Sequence, residues 1–175
     1  MSLHIVIDGY NLIRQSERFA AIERASLQEG REALLESLVL YRRVKHHPMT
    51  VIFDGAHADQ PLQGRTRHKG INIIFSRPGE SADTVIKGMV MREGERAVVV
   101  SSDGDVVDFA THHGAATIGS FEFEKKMEMA IHYDVTPAYL AEEEGAGWTP
   151  TTKKKGPSRR PPKVRRKSSV RTKKL

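Results

Sequence analysis

Three short apolar runs in this chain each end on an aspartate, and that recurrence restricts the fold more than any other feature of the sequence. His4-Ile5-Val6-Ile7 leads into Asp8-Gly9-Tyr10-Asn11, Val51-Ile52-Phe53 into Asp54-Gly55, and Ala97-Val98-Val99-Val100 into Ser101-Ser102-Asp103-Gly104-Asp105. Continuous β-branched runs suit strands buried on both faces, as in a parallel sheet covered by helices. Open α/β sheets bind ligands in the crevices outside the carboxyl ends of such strands. The pattern therefore predicts one sheet that delivers several carboxylates to one edge.

Helical spacing fills much of the remainder. Ser26-Leu27-Gln28-Glu29 reads as a capping box. Leu27, Leu34, Leu38 and Tyr41, widened by Leu35 and Val39, form an apolar stripe that runs to about His46, before Pro48. The stretch 12–24 is ambiguous, with a short helix at its start as one reading. Residues 55–70 read as a long polar connection, functional or merely solvated, that carries His57, Arg65, Arg67, His68 and Lys69. A strand at 71–75 follows, then a helix opened by Glu80-Ser81-Ala82-Asp83-Thr84 and continuing through Val90. Beyond the strand that ends at Val100, a helix is expected up to His113, a short strand at 115–118 and a last helix at 121–133. The order β-α-β-β-α-β-α-β-α predicts an α/β domain over 1–140, with a mostly parallel central sheet and helices on both faces.

Charge divides the chain in two. The net charge of +6 combines a body, 1–150, with 16 Lys and Arg against 22 Asp and Glu, and a stretch from Thr151 to Leu175 with twelve Lys or Arg and no acid. The segment 141–175 reads as a linker and a basic tail too poor in apolar residues to fold by itself, and its charge points to a polyanionic partner. With no cysteine, disulfides and thiolate metal sites are excluded. The apolar runs are too short to cross a bilayer and the N-terminus lacks a signal-peptide layout, so a cytoplasmic protein is expected.

Asp8, Asp54, Asp103 and Asp105 follow strands, and Asp83 occupies a first helical turn, where the dipole favours an anion. Each alone is an ordinary turn, cap or dipole residue. Together, like charges meeting at one edge require protonation or a cation. Carboxylate oxygens without cysteine select Mg²⁺ or Mn²⁺, and such an ion suits phosphoester hydrolysis. The basic tail makes nucleic acid the natural substrate. No phosphate-binding P-loop, dinucleotide-binding glycine turn or nucleophile elbow is present. His112-His113 reads as a helix end, since adjacent residues point to different sides.

Ile7-Asp8-Gly9-Tyr10-Asn11, Val51-Ile52-Phe53-Asp54, Glu80-Ser81-Ala82-Asp83 and Val100-Ser101-Ser102-Asp103-Gly104-Asp105, in that order, resemble the NYN domain of the PIN-like nucleases, in particular its bacterial YacP-like group. The similarity covers roughly residues 3 to 130. It implies a PIN-like α/β fold and divalent-metal-dependent endoribonuclease activity, and for some members ribosome-associated cleavage of mRNA. Carried over motif by motif, the acidic cluster falls on Asp8, Asp83 and Asp103, with Asp54 and Asp105 beside it and Asn11 positioning the cluster or a water. Ser102, Arg65, Arg67, Lys69 and Arg77 are candidate contacts to RNA phosphates. Tyr10 either stacks on a base or is buried under the first loop. A non-catalytic RNA- or ribosome-binding module tethered by the basic tail is the alternative, and a small-molecule phosphatase a third that leaves the tail without a purpose.

Overall fold

In the computed structural model, which describes residues 3–57, 64–135, 168 and 170–175, the strand β1 (His4–Asp8) lies between β2 (Met49–Phe53) and β5 (Ala97–Val100), parallel to both. Outside them, β4 (Ile71–Phe75) pairs in parallel with β2, and β6 (Ala116–Ile118) with β5. One further strand, β3 (Gly64–His68), runs antiparallel along β4 and closes the order β3-β4-β2-β1-β5-β6. The α/β class and the mostly parallel sheet are as the strand runs foretell.

Alternation along the strands builds two cores. Ile5, Ile7, Val51, Val98 and Val100 face one side of the sheet, and Val6, Ile52, Ala97 and Val99 the other. Helices α1 (Gly9–Gln15), α2 (Glu17–Ala25), α3 (Leu27–Lys45) and α6 (Ser120–Val135) cover the first side with Leu12, Phe19, Leu34, Leu38, Tyr41 and Phe123. Helices α4 (Ala82–Glu93) and α5 (Gly104–His112) cover the second with Ile86, Met89, Val90, Val106 and Ala110. Two glycines after strand-end aspartates are needed for packing. A Cβ on Gly9 would come within 2.3 Å of the Phe53 ring, and one on Gly55 within 2.2 Å of the Ser76 carbonyl.

The structure corrects the sequence reading in three places. The polar connection contains β3, whose exposed Arg65, Thr66 and Arg67 are held by the ladder to β4 and not by burial. The ambiguous stretch 12–24 is two helices broken at Ser16, whose hydroxyl accepts from the Phe19 N–H and donates to the buried Glu124. The capping box is half formed. Ser26 accepts the Glu29 N–H at 3.2 Å, but its own N–H goes to the Ile22 carbonyl at 3.0 Å.

The expected boundary near 140 and most of the basic tail lie outside the described residues. The end of the chain does pack: Leu175 is buried in the α3/α6 core, and the Tyr41 hydroxyl donates to its carbonyl at 2.7 Å. No helix among the described residues is long and apolar enough to cross a membrane.

Candidate functional site

Five parallel strands point their carboxyl ends one way, so Asp8, Asp54 and Asp103 leave the sheet along one edge. The strand order reverses at β1, and a crevice opens there. Asp8, Asp54, Asp83 and Asp103 line this cleft of about 340 Å³, with Tyr10, Asn11, Arg14, Gln15, Ser81 and Ala82. Among the described residues four carboxylates thus line the cleft with one guanidinium.

Asp8 is the most deeply set, at 8% exposure. Its two oxygens accept from the Asn11 N–H at 3.1 Å and the Ser101 hydroxyl at 3.4 Å. Burial, reinforced by the charges of Asp83 and Asp103, pushes its carboxyl up to about 6 although both hydrogen bonds pull the other way. Asp83 stands in the first turn of α4, which Ser81 caps. Its carboxyl is also raised, by burial and then by Asp103, with Asp105 and Asp54 adding and Lys87 opposing. Asp103 caps α5, accepting from the N–H groups of Asp105 at 2.9 Å and Val106 at 3.2 Å. Its own N–H donates to the Ser101 hydroxyl at 3.1 Å, so Ser101, fully buried, bridges two acidic residues.

Asn11 positions the edge. Its side-chain carbonyl accepts from the Ser102 N–H at 2.9 Å and the Ser120 hydroxyl at 2.7 Å, and the Ser120 N–H donates to the Ser102 hydroxyl at 3.1 Å. Ser102 is therefore occupied in holding the loop and does not line the cleft. Asp105 turns away and pairs with Lys87. Tyr10 is a wall of the cleft: its ring packs edge-on against Phe53, 5.1 Å between centroids, and its hydroxyl accepts from the buried Arg31 at 2.9 Å.

The basic candidates separate. Lys69 and His68 pair with Glu36. Arg67 lies exposed on β3, while Arg65 and Arg77 line a different cleft. Sequence reasoning missed Arg14 and Gln15, which share a face with Asn11 at i+3 and i+4 once α1 is known to start at Gly9. It also missed Ser101 and Ser120, for which no local signal exists.

Among the described residues no three His, Cys, Asp or Glu side chains are drawn into a ready-made cation site. The donor set is nevertheless all oxygen, and its mutual repulsion is relieved by positive charge. Mg²⁺ keeps several waters and takes only one or two carboxylates directly, so the cleft fits an ion held largely through water.

A sequence model described as the YacP-like NYN domain matches residues 5–147. The chain belongs to the YacP-like NYN domain family. YacP from Bacillus subtilis (strain 168) is 26% identical over 83 residues, 47% of this chain and 48% of that protein, so the chain spans about half the length of the curated relative it matches. The crystal structure of Rae1 (YacP) from Bacillus subtilis shares its fold with a TM-score of 0.64, at 23% identity, over 83% of this chain and 85% of that one. A single-substitution variant of the same protein gives 0.63 at 20% identity, over 81% and 89%. This YacP-like NYN domain therefore carries the fold of the PIN-like nuclease superfamily, with the acidic cleft at its sheet edge.

Proposed function

We propose that this YacP-like NYN domain is a divalent-metal-dependent endoribonuclease acting in the cytoplasm on mRNA or ribosome-associated RNA. The observation that supports this reading is the convergence of Asp8, Asp54, Asp83 and Asp103 on one cleft with Arg14, which Glu23 pairs at 3.6 Å, as the one cation among its described lining residues. Asp8, Asp83 and Asp103 would hold Mg²⁺ or Mn²⁺, with Asp54 at the rim and Asp105 supporting through Lys87. Such an ion lowers the pKa of water and stabilises charge on a phosphoryl group. Asn11 and Ser101 keep Asp8 and the Asp103 loop in register, and Arg14 takes the charge of the scissile phosphate. The basic tail supplies sequence-independent affinity for RNA.

Cleavage of a labelled RNA containing paired and single-stranded segments, with Mn²⁺, Mg²⁺ or EDTA, tests this. Asp103→Asn is the informative variant, because Asn caps a helix as well as Asp does. Metal-dependent cutting that Asp103→Asn abolishes while the fold persists is the expected result. Cutting unaffected by the substitution would place the chemistry elsewhere. RNA binding without cutting, with or without ribosomes, would instead make the domain a binding module.

A further inference from the structure

A second cleft, of about 280 Å³, borders the same helix α4 and has the opposite chemistry. Arg65 of β3, Arg77 after β4 and Arg92 near the end of α4 line it, against Glu80 as the one carboxylate among the described lining residues. Among the described residues none of these three guanidiniums pairs with a carboxylate, whereas Arg14, Lys69 and Lys87 each do. Unpaired guanidiniums around a concavity match the bidentate geometry of phosphate oxygens.

Gly88 supplies a second, independent observation. It lies inside α4, where glycine costs helix stability relative to alanine. Among the described residues nothing requires it, since a Cβ there would meet no atom within 4 Å beyond the neighbouring turns of its own helix. Gly9 and Gly55, by contrast, are pressed against a ring and a carbonyl. Gly88 lines the arginine cleft, so its missing side chain suits something external that passes close over the helix.

We infer that the cleft of Arg65, Arg77, Arg92 and Gly88 holds the phosphodiester backbone of single-stranded RNA beside the segment that enters the acidic cleft. The identity of the strand rests on the nuclease reading. The two clefts share α4: Asp83 faces one and Gly88 the other, about 7 to 8 Å apart along the axis. One strand crossing the helix reaches both. Arg92 joins the RNA contacts in this arrangement, and Lys69, which does not line the cleft, is not among them.

The test is binding of a fluorescein-labelled single-stranded oligoribonucleotide to the full chain in EDTA, titrated over salt. Replacing Arg65, Arg77 and Arg92 together by Gln is expected to lower the slope of log affinity against log salt by about 2, at roughly 0.7 per phosphate contact. Gly88→Glu, which puts a carboxylate on the cleft floor, is expected to weaken binding about tenfold, the scale of one charged phosphate contact. Gly88→Ala should fold and melt no earlier than the parent, showing that the position accepts a side chain. Parental affinity and slope in the triple variant, or parental binding by a folded Gly88→Glu protein, would overturn the inference. Metal-dependent cutting is scored separately on the parent. A parent that cuts while the triple variant binds normally refutes the cleft alone. A parent that binds through the arginines yet never cuts refutes the nuclease reading alone.

Discussion

The side-chain carbonyl of Asn11 accepts the backbone N–H of Ser102 at 2.9 Å, tying the exit of β1 to the exit of β5 across 91 residues of sequence. The same oxygen accepts the Ser120 hydroxyl at 2.7 Å, so three loops of the carboxyl edge meet on one acceptor. Asn11→Ala strands two donors, one on a fully buried serine, and an unsatisfied buried donor costs about 1–3 kcal/mol. A loss of that size in urea unfolding is expected. Cutting should slow mainly in kcat, because the loop that carries Asp103 loses its anchor while the arginine cleft is untouched. Parental stability in the variant would show that the Asn11 acceptor is not needed to hold the edge.

The Asp8 carboxyl sits at about 6 instead of its ordinary 3.8. A raised carboxyl binds its proton more tightly in the folded state, so folding stability falls as pH rises from about 4 to about 6 and is level above that. Two pH units correspond to about 3 kcal/mol. Asp8→Asn, which keeps one acceptor oxygen for the Asn11 N–H and turns an amide NH2 toward the Ser101 oxygen, should therefore be about 1–3 kcal/mol more stable than the parent near pH 7.5 in EDTA and no more stable near pH 4. Adding Mn²⁺ should stabilise the parent and have less effect on the variant. Urea midpoints at the two pH values, with and without Mn²⁺, decide it.

The legible part of this protein is the part where local pattern and burial agree. Ile5 to Ile7 and Val98 to Val100 are apolar because both faces of their strands are covered, and the aspartates mark where each strand ends. β3 was hidden because Gly64-Arg65-Thr66-Arg67-His68 has no apolar alternation; an edge strand exposed to water needs none. The break at Ser16 depends on Glu124, 108 residues away, and the bridge from Ser101 to Asp8 spans 93. Asp83 and Asp105 each occupy the first turn of a helix, yet only Asp83 lines the cleft. What separates them is the rotation of each helix about its axis, which packing sets and sequence spacing does not.

Tyr10 distinguishes a wall from a stacking platform. Arg31 is 7% exposed and donates to the Tyr10 hydroxyl at 2.9 Å. Tyr10→Phe keeps a ring against Phe53 but removes the acceptor from a buried guanidinium, a loss of about 1–3 kcal/mol. The expected outcome is reduced stability with RNA affinity unchanged. If stability is unaltered, the hydroxyl does not serve Arg31. If affinity for RNA falls in step with the lost hydroxyl, Tyr10 contacts the nucleic acid through it.

The end of the chain is fastened at the edge opposite the acidic cleft. Arg171 donates to the carbonyls of Glu95 at 2.6 Å and Gly114 at 2.9 Å, in the turns that precede β5 and β6. His47, just before β2, donates to the Lys174 carbonyl at 3.3 Å. The Leu175 side chain, 3% exposed, completes the core beside Tyr41. Truncating a buried leucine costs about 2–4 kcal/mol through lost burial and the cavity left behind. Leu175→Ala should show that loss in urea unfolding, while metal-dependent cutting by the folded protein stays at the parental rate because the amino edge carries no part of the site. A change below about 0.5 kcal/mol, the scale of an ordinary surface substitution, would mean that Leu175 does not contribute to the core in solution.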